Sequence, residues 1–140
     1  MKTDVVPVRL GDHWILIRAK MVSEFLSSTP WISVPGATPV LPGVLTWRGR
    51  AIPVLDLPRA LQYGVGAPSE ARSRVMVVEH AVGAVAIPID GAREVMTIAE
   101  DSIRPTHVCT TPYTSGEIDG PDAMLPLIEL DQLLREVGKA

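Results

Sequence analysis

Apolar residues along this chain come in short runs that alternate with polar ones, and glycine or proline cuts the runs at close intervals. That pattern predicts many short strands and little helix. Val5 to Leu10 and His13 to Ile17 flank Gly11-Asp12 as a hairpin, and Val22 to Leu26 continues as a strand. Thr29-Pro30-Trp31 and Pro35 to Pro42 hold too many prolines to pair inside a sheet and read as loop. Val44 to Trp47, Arg48-Gly49-Arg50 and Ala51 to Leu57 read as strand, tight reversal and returning strand, with Gly49 suited to positive φ. The returning strand is apolar on both faces, Ile52 and Val54 on one, Leu55 and Leu57 on the other, which predicts burial on both sides.

Asp56 is placed to cap a short helix, with Pro58 in its first turn and Gly64 to end it. Gly64 to Ser73 is a polar connector. Val75 to Glu79 and Ala84 to Ile89 read as strands around a turn at Ala81-Val82-Gly83, Asp90-Gly91 makes the next turn, and Glu94 to Ile98 is another strand. Thr106 to Gly120 reads as loop, with a short extended run at His107-Val108-Cys109. Leu125 to Leu130 is the last strand. Asp131 then caps a helix whose Leu130, Leu133, Leu134 and Val137 follow the i, i+3, i+4, i+7 pattern, with Gly138 as its stop.

The chain also repeats itself. Ile52 to Leu61 aligns without gaps on Leu125 to Leu134, matching in kind through the strand part, and Val22 to Leu26 aligns more weakly on Ala92 to Met96. Two strand-then-helix units of roughly 70 residues imply two similar small barrels. Neither half buries enough surface alone, so the two are expected to pack together.

A length of 140 residues with 46% hydrophobic content fits one globular domain. The 13 basic and 16 acidic residues are scattered in both signs, for a net charge of −3, which speaks against a nucleic-acid or membrane-surface footprint and for protein partners. The opening Met1-Lys2-Thr3-Asp4 leads straight into a strand without an apolar signal segment, and the single cysteine, Cys109, suits a reducing compartment; the expectation is a cytoplasmic protein.

Signs of catalysis are lacking. His13, His80, His107 and Cys109 give one pair, His107 and Cys109, on a common strand face, and no second pair with ligand spacing. No phosphate loop, nucleophile elbow or ATP-binding segment is present. The expectation is no enzyme activity, no metal and no cofactor. Trp14, Trp31 and Trp47 suit either a partner surface or the core, with at least one expected in the core. Arg48 and Arg50, lifted on the central hairpin, suit a carboxylate on a partner or a merely solvated turn.

The central stretch, Gly43-Val44 through Arg48-Gly49 to Pro53-Val54 and Asp56-Leu57, resembles the signature of the CheW-like adaptor domain of bacterial chemosensory systems. Five further segments fall in family order: Arg9-Leu10-Gly11-Asp12, Val22-Ser23-Glu24, Ile89 to Val95, Ile103-Arg104-Pro105 and Leu127 to Leu134. Departures are Thr46-Trp47 where the family usually has Asn-Leu, Arg18 at a commonly acidic position, Pro88 inside a strand that is usually purely apolar, and a short Thr106 to Gly120 loop. Pro88 lacks a ladder donor and is expected on an edge or at a bulge.

This resemblance implies a mainly β fold of two packed five-stranded SH3-like barrels with a short C-terminal helix. Residues 1–140 would form a single domain, with one subdomain near 13–74 and the other near 1–12 plus 75–140, the N-terminal strand Val5 to Leu10 bridging them. It further implies a non-catalytic adaptor that docks on the regulatory domain of a CheA-type histidine kinase and holds the cytoplasmic tip of a chemoreceptor in an apolar groove between the barrels. Matching positions put Val22, Glu24, Arg48 and Val95 near that groove. On residue type alone, Val22 and Val95 read as strand core and Glu24 as a solvated strand face. Trp47 is expected to stack beside the Arg48 guanidinium. A module on the same fold that binds one partner or a small ligand is the alternative.

Overall fold

The computed structural model describes residues 1–27, 30–63, 74–80, 83–104, 113–120 and 124–138. One sheet runs in the order β10 (Met96–Ala99), β1 (Lys2–Leu10), β2 (His13–Arg18), β12 (Met124–Ile128) and β11 (Thr114–Asp119), with the two-residue β9 (Gly91–Ala92) also on β1. The other runs β3 (Val22–Ser27), β7 (Arg74–His80), β8 (Gly83–Ile89), β6 (Arg50–Val54), β5 (Gly43–Trp47) and the two-residue β4 (Ile32–Ser33). Five long strands remain in each sheet once the two short pieces are set aside, so the chain has the expected mainly β, two-barrel architecture.

The sequence repeat is a repeat of register as well. Leu127 of β12 lies beside Leu16 of β2 in a parallel pair, as Val54 of β6 lies beside Ala86 of β8. Val8 faces Ile15 across the first hairpin, as Val78 faces Val85 across the hairpin of β7 and β8. The N-terminal hairpin is therefore the counterpart of β7 and β8, and completes the barrel formed with the C-terminal strands. This corrects the expected subdomain limits: β2 belongs with β1, and β7 and β8 belong with β3. It also corrects the bridging role of β1, whose partners β2, β9 and β10 all lie in its own sheet.

What joins the barrels is the second face of these strands. Leu45, Trp47, Ile52, Val54, Val75, Val77, Ala84 and Ala86 pack inside one barrel, and Val5, Leu16, Ile118 and Leu127 inside the other. Alternate residues turn the opposite way, as the two-residue period of a strand requires. Val6, Val8, Ile15 and Ile17 from one sheet meet Met76, Val78, Ile87 and Ile89 from the other in a third, shared core. Leu55 and Leu57 join that shared core while Ile52 and Val54 face the barrel, but the strand ends at Val54 with Ala51 and Pro53 exposed, so the expected two-sided burial comes from the turn into the helix and not from the strand itself.

Two helices seal the shared core. In α1 (Leu57–Ala60), Asp56 accepts a hydrogen bond from the Arg59 backbone N–H at 3.3 Å and Pro58 sits in the first turn, as expected. It ends earlier than expected, with Gln62 at φ 59°, while Gly64 lies outside the described residues. In α2 (Leu130–Gly138), Leu130 and Leu133 are buried in the shared core. Asp131 is inside the first turn rather than ahead of it and binds His80 at the end of β7, and Arg135 at 3.2 Å.

Two other expectations change. β11 occupies Thr114–Asp119, a stretch read as loop because only Ile118 is apolar there; pairing with β12 and the approach of Ile103 and Arg104 over Gly116 make it a strand. β10 begins at Met96 instead of Glu94; Arg93 to Val95 is not strand, although the Arg93 N–H still donates to the Pro7 carbonyl of β1 at 3.0 Å. Ile32-Ser33 pairs with β5 as a short edge. Pro88 faces Val75 of β7, two residues beyond Ala86, where β8 meets β6. The Gly64 to Ser73 connector, the Ala81-Val82 turn and His107-Val108-Cys109 lie outside the described residues.

Candidate interaction site at the central hairpin

β5 and β6 are joined by a two-residue turn in which Trp47 faces Arg50 across the ladder. Both turn residues have positive φ, Arg48 at 50° and Gly49 at 75°, the mirror-image turn whose twist matches that of the flanking strands. Glycine reaches that region freely, but an arginine there is uncommon and disfavoured by its Cβ. The tight turn lifts the Arg48 side chain into solvent, where it is 63% exposed.

Trp47 is 4% exposed, with its ring in the barrel interior, so one tryptophan is in the core as expected. Its indole N–H donates to Glu24 Oε1 at 2.9 Å, and the Arg48 Nη2 donates to the same oxygen at 3.3 Å. The Arg48 Cζ lies 4.6 Å from the Trp47 ring centroid, and the Arg50 Cζ lies 5.5 Å from it. A bulge in β3 between Val22 and Glu24 shifts the register against β7, and Leu26, two residues on, packs on the same barrel core as Trp47. Glu24 thus reaches the hairpin from the strand at the opposite edge of the sheet, closing the barrel mouth with a carboxylate.

Of the four residues singled out by sequence, Glu24 and Arg48 are joined directly through that ion pair. Val22 is half-buried and packs on the shared core, in line with the plain strand-residue reading. Val95 is 56% exposed, between β9 and β10. Next to it in sequence Met96 is 37% exposed, and Phe25, the residue aligned with Val95 in the repeat, is 38% exposed. The stacking of Trp47 with Arg48 was legible in sequence, as was Arg50 beside it on the hairpin; the Trp47 bond to Glu24 was not, because it depends on where β3 runs relative to the hairpin.

A second polar cluster ties the other barrel. Arg18 donates to Glu129 Oε1 at 3.2 Å, to Thr3 Oγ1 at 3.3 Å and to Glu100 Oε1 at 3.4 Å. Among the described residues no group of three or more His, Cys, Asp or Glu is arranged to hold a metal ion.

The family model described as CheW-like domain matches residues 4–138. The chain is 25% identical to a probable chemotaxis protein CheW of Rhizobium etli, over 95% of this chain and 88% of that one. It is 24% identical to the chemotaxis protein CheW of Rhizobium meliloti, over 93% and 86%. The crystal structure of the scaffolding protein TtCheW from Thermoanaerobacter tengcongensis superposes with a TM-score of 0.80 at 26% identity, covering 95% of this chain and 92% of that one.

Proposed function

The chain belongs to the CheW-like domain family of chemotaxis scaffolds, and on that footing we propose that it is a non-catalytic adaptor coupling chemoreceptors to a CheA-type histidine kinase. The observation that carries this reading is the central hairpin, where a tight turn holds an exposed guanidinium against a buried indole and a carboxylate. Such a site suits binding: the guanidinium stays charged, and the one carboxylate beside it, that of Glu24, already accepts from both Trp47 and Arg48.

In this reading Val22, Glu24, Arg48 and Val95 contribute to partner binding. Exposed Val95, Met96 and Phe25 supply apolar area for a receptor helix, and the charged hairpin at the rim selects its partner. Among the described residues no helix is long and apolar enough to cross a membrane. A cytoplasmic place beside receptor arrays follows from the adaptor role.

Reconstitution tests the reading. Kinase and receptor are combined on vesicles with and without this protein, and kinase autophosphorylation is followed. Receptor control of the kinase that needs the added protein is expected; control that is equal in its absence overturns the adaptor role.

A further inference from the structure

We propose that Arg50 is a specificity-determining contact of the hairpin, acting with Arg48 as a pair of guanidinium groups that takes a carboxylate from an acidic surface of the protein partner. This rests on the adaptor reading and adds to it a residue and a partner chemistry.

The two arginines differ in what already occupies them. Arg48 spends one amino group on Glu24. Arg50 is exposed, lies over the Trp47 ring at 5.5 Å and has no ion pair among the described residues. Trp47 is fixed by its burial and by its bond to Glu24, so the ring is a rigid platform for both cations. Stacking on an aromatic face restricts a guanidinium while leaving its edge N–H groups free for a carboxylate. An incoming carboxylate can meet Arg50 and the remaining N–H groups of Arg48 without displacing Glu24.

The duplicated fold does not require these cations. In the repeat, Trp47-Arg48-Gly49-Arg50 aligns with Gly120-Pro121-Asp122-Ala123, which has neither the aromatic ring nor a cation. The turn conformation itself favours asparagine or glycine where Arg48 stands. Arg48 is present against local backbone preference, and both arginines stand together in a chain whose net charge is −3, which marks a local positive site for an acidic partner.

The test measures binding of the intact protein to the receptor cytoplasmic tip and to the kinase regulatory domain by calorimetry at low and high salt, for wild type, Arg50→Ala, Arg50→Lys and Arg50→Glu. Arg50→Ala is expected to weaken one partner roughly 3- to 10-fold, Arg50→Glu to weaken it further, and Arg50→Lys to recover only part, with the differences shrinking at high salt and the melting temperature unchanged. Wild-type binding that Arg50→Ala and Arg50→Glu leave intact overturns the proposal while sparing the adaptor reading. Wild type that binds neither partner overturns both.

Discussion

Gly43 and Gly116 stand at matching points of the two barrels, each in a strand over which another segment of chain passes too closely for a side chain. A Cβ on Gly43 would strike the Ile32 carbonyl and come within 2.7 Å of the Trp31 ring. On Gly116 it would meet Ile103 Cγ2 at 2.5 Å and the Arg104 carbonyl oxygen at 2.8 Å. Gly43 faces Val54 and Gly116 faces Leu127, so the repeat extends to the residue that lets the chain cross.

Gly43→Ala is therefore expected to destabilise by about 2–4 kcal/mol, since the obstruction is backbone and cannot rotate away. Gly116→Ala should cost less, because part of its obstruction is the Ile103 side chain. Urea unfolding of both variants checks the size and the order; a Gly43→Ala midpoint equal to wild type contradicts the close approach.

Trp47→Phe keeps most of the buried ring and removes the N–H that Glu24 accepts. A hydrogen bond to a charged acceptor, discounted for the partial exposure of Glu24, puts the cost at about 1–2 kcal/mol. Arg48→Ala should change stability by less than about 0.5 kcal/mol, because the Arg48 and Glu24 side chains are 63% and 37% exposed. Paired denaturation curves test the contrast, which equal losses for the two variants would erase.

Arg18→Glu sets a carboxylate against Glu129 and Glu100 in place of the cation that binds both. A loss of about 1–3 kcal/mol is expected, with partial recovery when Glu129→Arg is added. A double-mutant cycle showing no coupling between the two positions would refute the clamp.

Leu133→Ala removes a fully buried side chain where α2 closes the shared core. A cost of about 2–4 kcal/mol is expected in chemical denaturation, as for other large-to-small changes in a packed core. A cost below 1 kcal/mol would mean that α2 does not seal the core.

The strands most easily read from sequence were those with two apolar faces, because β7 and β8 bury one face in a barrel and the other between barrels. β11 was not legible: Thr114-Ser115-Gly116-Glu117 has no apolar alternation, and its pairing is imposed by β12 and by the chain crossing Gly116. The division of strands between barrels was missed because β2 of the first hairpin pairs with β12, which lies near the far end of the chain, a pairing that sequence order hides. At the hairpin, the arginine and its stacking tryptophan were legible as neighbours. The carboxylate of Glu24 meeting both is a consequence of the bulge in β3, which no local pattern announces.

Loss of partner binding without loss of fold is what the adaptor account requires of Arg48. An exposed rim contact predicts about 0.5–1 kcal/mol of lost affinity for Arg48→Ala, rising to about 2–5 kcal/mol where the contact is buried on binding.

The central claim is tested most directly by mixing the protein with the kinase regulatory domain and the receptor cytoplasmic tip and asking by size-exclusion chromatography with light scattering whether all three travel as one species. A ternary complex that contains this protein, and that Arg48→Ala weakens while melting at the wild-type temperature, is the predicted result. Binding to one partner that excludes the other, or to neither, would contradict the account.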